Sequence, residues 1–171
     1  MRDFTAIYDT HVWQVYAFFA YRVHDRSDAE DLTQLTFERA LKAWGRYEES
    51  RASVATWLIA IARNILIDHF RADRTDRTQP LGELESDHAA LRVDAERPNL
   101  GLDPALAHAL ETLSDREREL VALRFGGDLT GPEIAEMTGL TLANVQQILS
   151  RSLRRMRAQM EQSVHPPMDA G

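Results

Sequence analysis

The sequence predicts an all-α protein of two small helical domains joined by a flexible linker. Three observations carry that expectation. Apolar residues recur at spacings of three and four on both sides of the middle of the chain, and no segment alternates with the period of two that a strand needs. Between these regions, residues 73–103 hold Pro80, Gly82, Pro98 and Gly101, repeat the dipeptide Asp-Arg, and lack a sustained helical period.

The first helix is expected over Phe4 to Val23, with Phe4, Ile7, Tyr8, Val12, Val15 and Phe19 on one face. Ser27-Asp-Ala-Glu30 reads as a capping box, in which the Ser27 hydroxyl accepts from the Glu30 amide while the Glu30 carboxylate reaches back. It opens a second helix with Ala29, Leu32, Thr36, Phe37, Ala40, Leu41 and Trp44 inward, closed by Gly45. A polar loop from Arg46 to Ala52 follows, and Ser53 caps a third helix whose apolar stripe is Val54, Trp57, Leu58, Ile61, Ile65 and Leu66.

Beyond the linker, Asp103 before Pro104 marks a helix start. Ser114-Asp-Arg-Glu117 is a second capping box, opening a helix that runs to the Gly126-Gly127 break, and Thr130-Gly-Pro-Glu133 opens a short helix. Gly139 ends the helix that Thr130 begins, and Thr141 caps a final helix reaching about Met160. The boundaries that follow are residues 1–72, a linker over 73–103, a second domain over 104–160, and a disordered tail over 161–171. A short helix near Asp87 to Val93 is a further expectation within the linker.

At 171 residues, 19.5 kDa and 44% apolar content the chain can bury a core. The absence of cysteine excludes disulfides, thiolate metal sites and cysteine nucleophiles, and suits a reducing cytoplasm. The longest apolar run, Val15 to Tyr21, falls far short of the roughly 18 residues of a membrane span, so no membrane insertion is expected. The six histidines show no ligand spacing, and neither a glycine-rich phosphate cradle nor a nucleophile, base and acid set is recognisable. No metal, cofactor or enzymatic activity is expected.

A net charge of −7 argues at first against nucleic acid, but the deficit is local. Residues 73–104 carry four basic and eight acidic groups, whereas Arg151, Arg154, Arg155 and Arg157 form a cationic run with no acid between Asn144 and Met160. Just before that run, Glu133-Ile-Ala-Glu-Met-Thr-Gly-Leu-Thr-Leu-Ala-Asn-Val145 has the spacing of a helix-turn-helix, or of a plain helical hairpin. In the first reading, Asn144, Gln146 and Gln147 approach base edges while Ser150, Arg151, Arg154 and Arg155 lie further along the same helix. In the second helix Asp31, Gln34 and Glu38 share a face with Leu35 beside them, a mixture that suits either a protein interface or a solvated surface.

Four motifs occur in order: Ala29-Glu-Asp-Leu-Thr-Gln-x-x-Phe37, Trp57-Leu-x-x-Ile-Ala-Arg-Asn64, Leu113-x-x-x-Glu-Arg-Glu119 and the helix-turn-helix. Together they resemble the bacterial extracytoplasmic-function (ECF) sigma factors of the sigma-70 type family. The resemblance implies that residues 1–72 are a sigma domain two and residues 104–160 a sigma domain four. It implies core RNA polymerase as partner, with Asp31, Leu32, Gln34 and Leu35 on the clamp helices of the largest subunit and domain four on the flap. Promoter DNA is the second implied partner. Tyr47, Arg51, Ser53, Arg63 and Asn64 match the part that captures the unpaired minus-10 strand, and the final helix matches the minus-35 reader. Tyr47 is the better candidate for stacking on a base, since Trp57 falls in the apolar stripe. An anti-sigma factor is a further partner that the family admits. The family commonly has basic residues where this chain has Gln146 and Ile148. A stand-alone helix-turn-helix regulator is the alternative function, and it leaves the amino-terminal motifs without a use.

Overall fold

The computed structural model describes residues 3–78 and 101–164. α1 (Phe4–Ala20) starts where the Asp3 carboxylate accepts from the Thr5 amide at 3.1 Å. It stops three residues earlier than its apolar stripe suggests, because the chain turns through Tyr21 and Arg22 to reach the next cap. That cap is Asp25, not Ser27. Asp25 sits in extended backbone and accepts from the Ser27 amide at 2.9 Å, so α2 (Arg26–Ala43) already contains Ser27. Glu30 pairs instead with Arg26, also at 2.9 Å.

A 3₁₀ turn (Trp44–Arg46) leads into the loop before α3 (Val54–Thr78). α3 continues past residue 72, where the linker was expected to begin, since nothing before Pro80 interrupts a helix. The short helix expected near Asp87 to Val93 lies outside the described residues. α1, α2 and α3 enclose Val15, Phe18, Phe19, Phe37, Leu58 and Ile65. Thr33 and Thr36 are buried with them at no polar cost, because each hydroxyl donates to the carbonyl four residues back, at 2.7 and 2.8 Å. Leu41, expected inside, is 56% exposed.

α4 (Pro104–Glu111) is capped by Asp103 and α5 (Asp115–Val121) by the Ser114–Glu117 box. The chain then widens into a π turn (Ala122–Gly126) closed by Gly127 N–H donating to Ala122 C=O at 2.8 Å. α6 (Gly131–Thr138) begins at the Thr130–Glu133 box and ends at Gly139, whose φ of 75° is the left-handed conformation that glycine adopts without strain. α7 (Leu142–Val164) outlasts the expected end at Met160, so residues 161–164 are helical and not part of a tail.

Leu120, Val121, Ala122 and Leu123 are all fully buried. Four consecutive helical residues point all round the axis, so one neighbour cannot cover them. α7 covers one side of the α5–π segment, and α1 covers the π turn from the other. There Gly126 lies so close to α1 that a Cβ on it would come within 2.8 Å of Phe18 Cα. The two helical units are therefore packed together, a relationship on which the sequence is silent.

Candidate nucleic-acid interface

α6 and α7 form the helix-turn-helix. Ile134 and Val145 are fully buried between them, and the turn is set by Gly139 and by Thr141, whose hydroxyl accepts from the Asn144 amide at 3.1 Å. This arrangement leaves Asn144, Gln146, Gln147, Ser150, Arg151 and Arg154 exposed on α7. Asn144, Gln147, Arg151 and Arg154 succeed one another at spacings of three, four and three, one stripe along the helix. Arg155 is different. Its guanidinium meets Glu117 at 2.9 Å, the same carboxylate oxygen that accepts from the Ser114 amide, so it ties α7 to the start of α5. Ile148, at one of the two positions where the family commonly has a base, is buried and faces the core.

On α2, Asp31 and Gln34 are exposed and Leu35 is half-buried. Leu32 belongs to the core at 7% exposure, because its neighbours in the stripe, Ala29, Thr36 and Phe37, turn that side toward α1 and α3. It supports the face without being on it. Leu41 extends the face: positions 31, 34, 38 and 41 follow at three, four and three residues, a spacing that was readable in the sequence.

The elements around α3 are less open. Tyr47 stacks on Trp44 with ring centroids 5.1 Å apart and planes 7° from parallel, touches Trp57 at 5.0 Å, and donates its hydroxyl to the Ala52 carbonyl at 2.8 Å. In this conformation Tyr47 is a structural prop of the loop as much as Trp57 is part of the core. Ser53 caps α3 by accepting from the Thr56 amide at 3.2 Å. Arg51 is exposed and pairs with Glu48 at 2.9 Å. A cleft of about 490 Å³ opens between the start of α1 and this loop, with Asp3, His11, Tyr47, Ser53 and Val54 in its wall.

Asn64 is exposed, but Arg63 beside it is engaged. Its Nε lies 2.7 Å from Glu119 of α5, and its Nη1 donates to the Met137 carbonyl at 3.5 Å. One and two turns earlier on the same side of α3, Ile59 is buried under Gly127 and Thr56 donates to Glu133 at 3.2 Å. Gln14 of α1 donates to the Gly127 carbonyl. Arg22 reaches the Asp115 carbonyl at 2.9 Å and lies over the Phe70 ring at 5.3 Å, while its Nε is buried without a hydrogen-bond partner among the described residues. Sequence reasoning missed Glu119, Glu133, Gln14 and Arg22 as partners, because contacts between residues this far apart in the chain leave no periodic trace.

Two charge states reflect these surroundings. The Thr130 amide, donating to Glu133, holds that carboxyl below its ordinary range against the effect of burial, with the Thr130 and Thr56 hydroxyls assisting. Burial lowers the pKa of Arg22, opposed by nearby Glu119 and Asp115.

An exposed amide and arginine stripe on the second helix of a helix-turn-helix, beside a three-helix unit with its own polar face, defines an all-helical DNA-binding protein of two parts. The descriptions sigma-70 region 2 and sigma-70, region 4 match residues 7–75 and 109–158. The ECF RNA polymerase sigma factor SigX of Bacillus subtilis is 31% identical over 166 residues, 92% of this chain and 84% of that protein. The ECF RNA polymerase sigma factor BldN of Streptomyces coelicolor is 31% identical over 154 residues, 90% of this chain but 58% of BldN, so the chain spans little more than half of that relative. Among solved structures, the sigma factor RpoE in complex with the anti-sigma factor NepR from Bartonella quintana shares the fold. Its TM-score is 0.68 at 20% identity, with 94% of this chain and 98% of that one covered. The chain belongs to the sigma-70 family, in its extracytoplasmic-function group.

Proposed function

We propose that this chain binds core RNA polymerase, directs it to promoters and assists their opening, acting in the cytoplasm as a non-catalytic initiation factor. The exposed stripe of α7 carries the proposal. Its amides stand near the helix start, where Asn or Gln can bond adenine in two places, and Arg151 and Arg154 stand one to two turns on, placed for phosphates. On this reading α7 takes the duplex minus-35 element. The loop from Tyr47 to Ser53, with Arg51, Arg63 and Asn64, takes the unpaired minus-10 strand, and the cleft beside Tyr47 gives room for an extruded base.

The α2 face of Asp31, Gln34 and Leu35, extended by Leu41, is assigned to the polymerase clamp helices, and the unit from residue 104 to the flap. No helix among the described residues is long and apolar enough to cross a membrane. An anti-sigma factor is a further partner in this reading, in keeping with the group to which the chain belongs. Run-off transcription with purified core polymerase on a promoter pool tests it. Enrichment of promoters with two spaced elements is expected, and core-independent binding of duplex DNA with no transcription would instead fit a stand-alone regulator.

A further inference from the structure

We infer that Leu142 and Ala143, at the start of α7, read the 5-methyl groups of thymines in the minus-35 element, so that the helix start recognises A·T pairs without bonding guanine or cytosine. The inference rests on the proposed role of α7 and adds to it the class of base that its first two turns take. The 5-methyl of thymine is the one apolar group that base edges present in the major groove, and apolar side chains are the groups that contact it.

Val145, Ile148, Leu149, Ser152 and Met156 are buried and mark the side of α7 that faces the protein. At about 100° per residue, positions 143, 147, 150 and 154 lie on the opposite side, and Ala143, Gln147, Ser150 and Arg154 are all exposed. Ala143 is therefore the first side chain on the outermost ridge. Leu142 stands beside that ridge, 40% exposed in spite of its size. A lone exposed leucine needs no explanation on most surfaces. This one is held in place: its Cδ1 lies 3.1 Å from where a Cβ on Gly131 would be, so the bare backbone at the start of α6 seats one branch of the side chain.

The other exposed residues of the first two turns are Asn144, Gln146 and Gln147, so no side chain there is charged. Guanine is bonded chiefly by Arg or Lys and cytosine by Asp or Glu, whereas Asn and Gln bond adenine. The first cation, Arg151, comes nine residues after Leu142, about 13.5 Å further along the axis. Each apolar residue also has an amide one turn on, Leu142 with Gln146 and Ala143 with Gln147. A methyl contact beside an amide suits neighbouring A·T pairs, one read through its thymine and the next through its adenine.

Deoxyuridine provides the test, because it pairs as thymidine does and lacks only the 5-methyl. Wild-type holoenzyme first selects a minus-35 element from randomised promoter duplexes. Each thymine of that element is then replaced singly by deoxyuridine, and duplex affinity is measured for holoenzymes of wild type, Leu142→Ala and Ala143→Gly. Wild type should bind about fourfold more weakly where a contacted methyl is removed, the worth of one buried methyl. In each variant the thymine-over-uracil ratio should fall to about one at one of those positions, with core affinity unchanged. Leu142→Ala also gives up packing on Gly131, but Ala143→Gly keeps it, and a general loosening of the helix start would lower affinity for both bases without erasing their ratio. A ratio that persists in one variant removes that residue from the contact. If the selected element holds no thymine, if no replacement weakens wild type, or if the ratio persists in both variants, methyl reading is refuted while the role of α7 stands. If wild-type holoenzyme selects no minus-35 element, the role assigned to α7 fails and the inference falls with it.

Discussion

Arg63 on α3 and Glu119 on α5, separated by 56 residues in the chain, meet at 2.7 Å with only 22% and 17% of their side chains exposed. A pair this sheltered is less screened than a surface ion pair. In a double-mutant cycle of Arg63→Ala and Glu119→Ala, urea unfolding should show a coupling of about 1–2 kcal/mol. A coupling below about 0.3 kcal/mol would place it with ordinary surface pairs.

Glu133 gives the fold a pH signature. Its carboxyl is lowered in the folded state, chiefly by the Thr130 amide, so the ionised form stabilises the native protein. That contribution is fully present above the ordinary carboxylate range and is lost as pH falls through the lowered folded value. Between about pH 6 and pH 3, Glu133→Gln should flatten part of the fall in unfolding free energy seen for wild type. Parallel curves for the two proteins would show that this carboxylate carries no linkage.

The α2 face separates binding from packing. Asp31→Arg should weaken core polymerase affinity and leave thermal stability within about 0.5 kcal/mol, as exposed substitutions do. Leu32→Ala should do the reverse and cost about 2–5 kcal/mol of stability, since Leu32 is buried. Binding titrations and thermal melts on both variants check the division, and an undiminished core affinity for Asp31→Arg would move the docking surface elsewhere.

Three substitutions on α7 have three distinct outcomes. Gln147→Ala should relax preference at one minus-35 position, at about 1–3 kcal/mol. Arg151→Ala should weaken all sequences alike and flatten the slope of log affinity against log salt by about 0.9. Arg155→Ala should leave that slope nearly intact and lower the melting temperature, because Arg155 is spent on Glu117. Selection from a randomised minus-35 library at several salt concentrations distinguishes them.

Helix starts were legible where a cap and its partner lie within four residues. Asp103, Ser114, Thr130 and Thr141 all cap the helices that the sequence predicts. Ser27 failed for the same local reason: Asp25, two residues earlier, offers an equally good acceptor and starts the helix first. The exposed residues of α7 follow directly from its period. The environment of Arg63 does not, because Ile59, Arg63 and Thr56 are covered by groups that only the packing of distant segments brings near. Tyr47 illustrates the same limit, since its place against Trp44 depends on how a loop closes.

The π turn at Ala122–Gly126 makes this part of the protein sensitive to counting. An α-helix turns about 100° per residue, so one residue fewer in the turn would swing everything after it around the axis and bring a side chain to the spot that Gly126 leaves bare. Single-residue deletions between Leu123 and Gly126 should therefore be selected against more strongly than most substitutions there. The exposed loop of residues 48–51 should accept changes of length far more readily. Insertions and deletions across a mutational library should thus trace the joint between the two units more sharply than amino-acid replacements do.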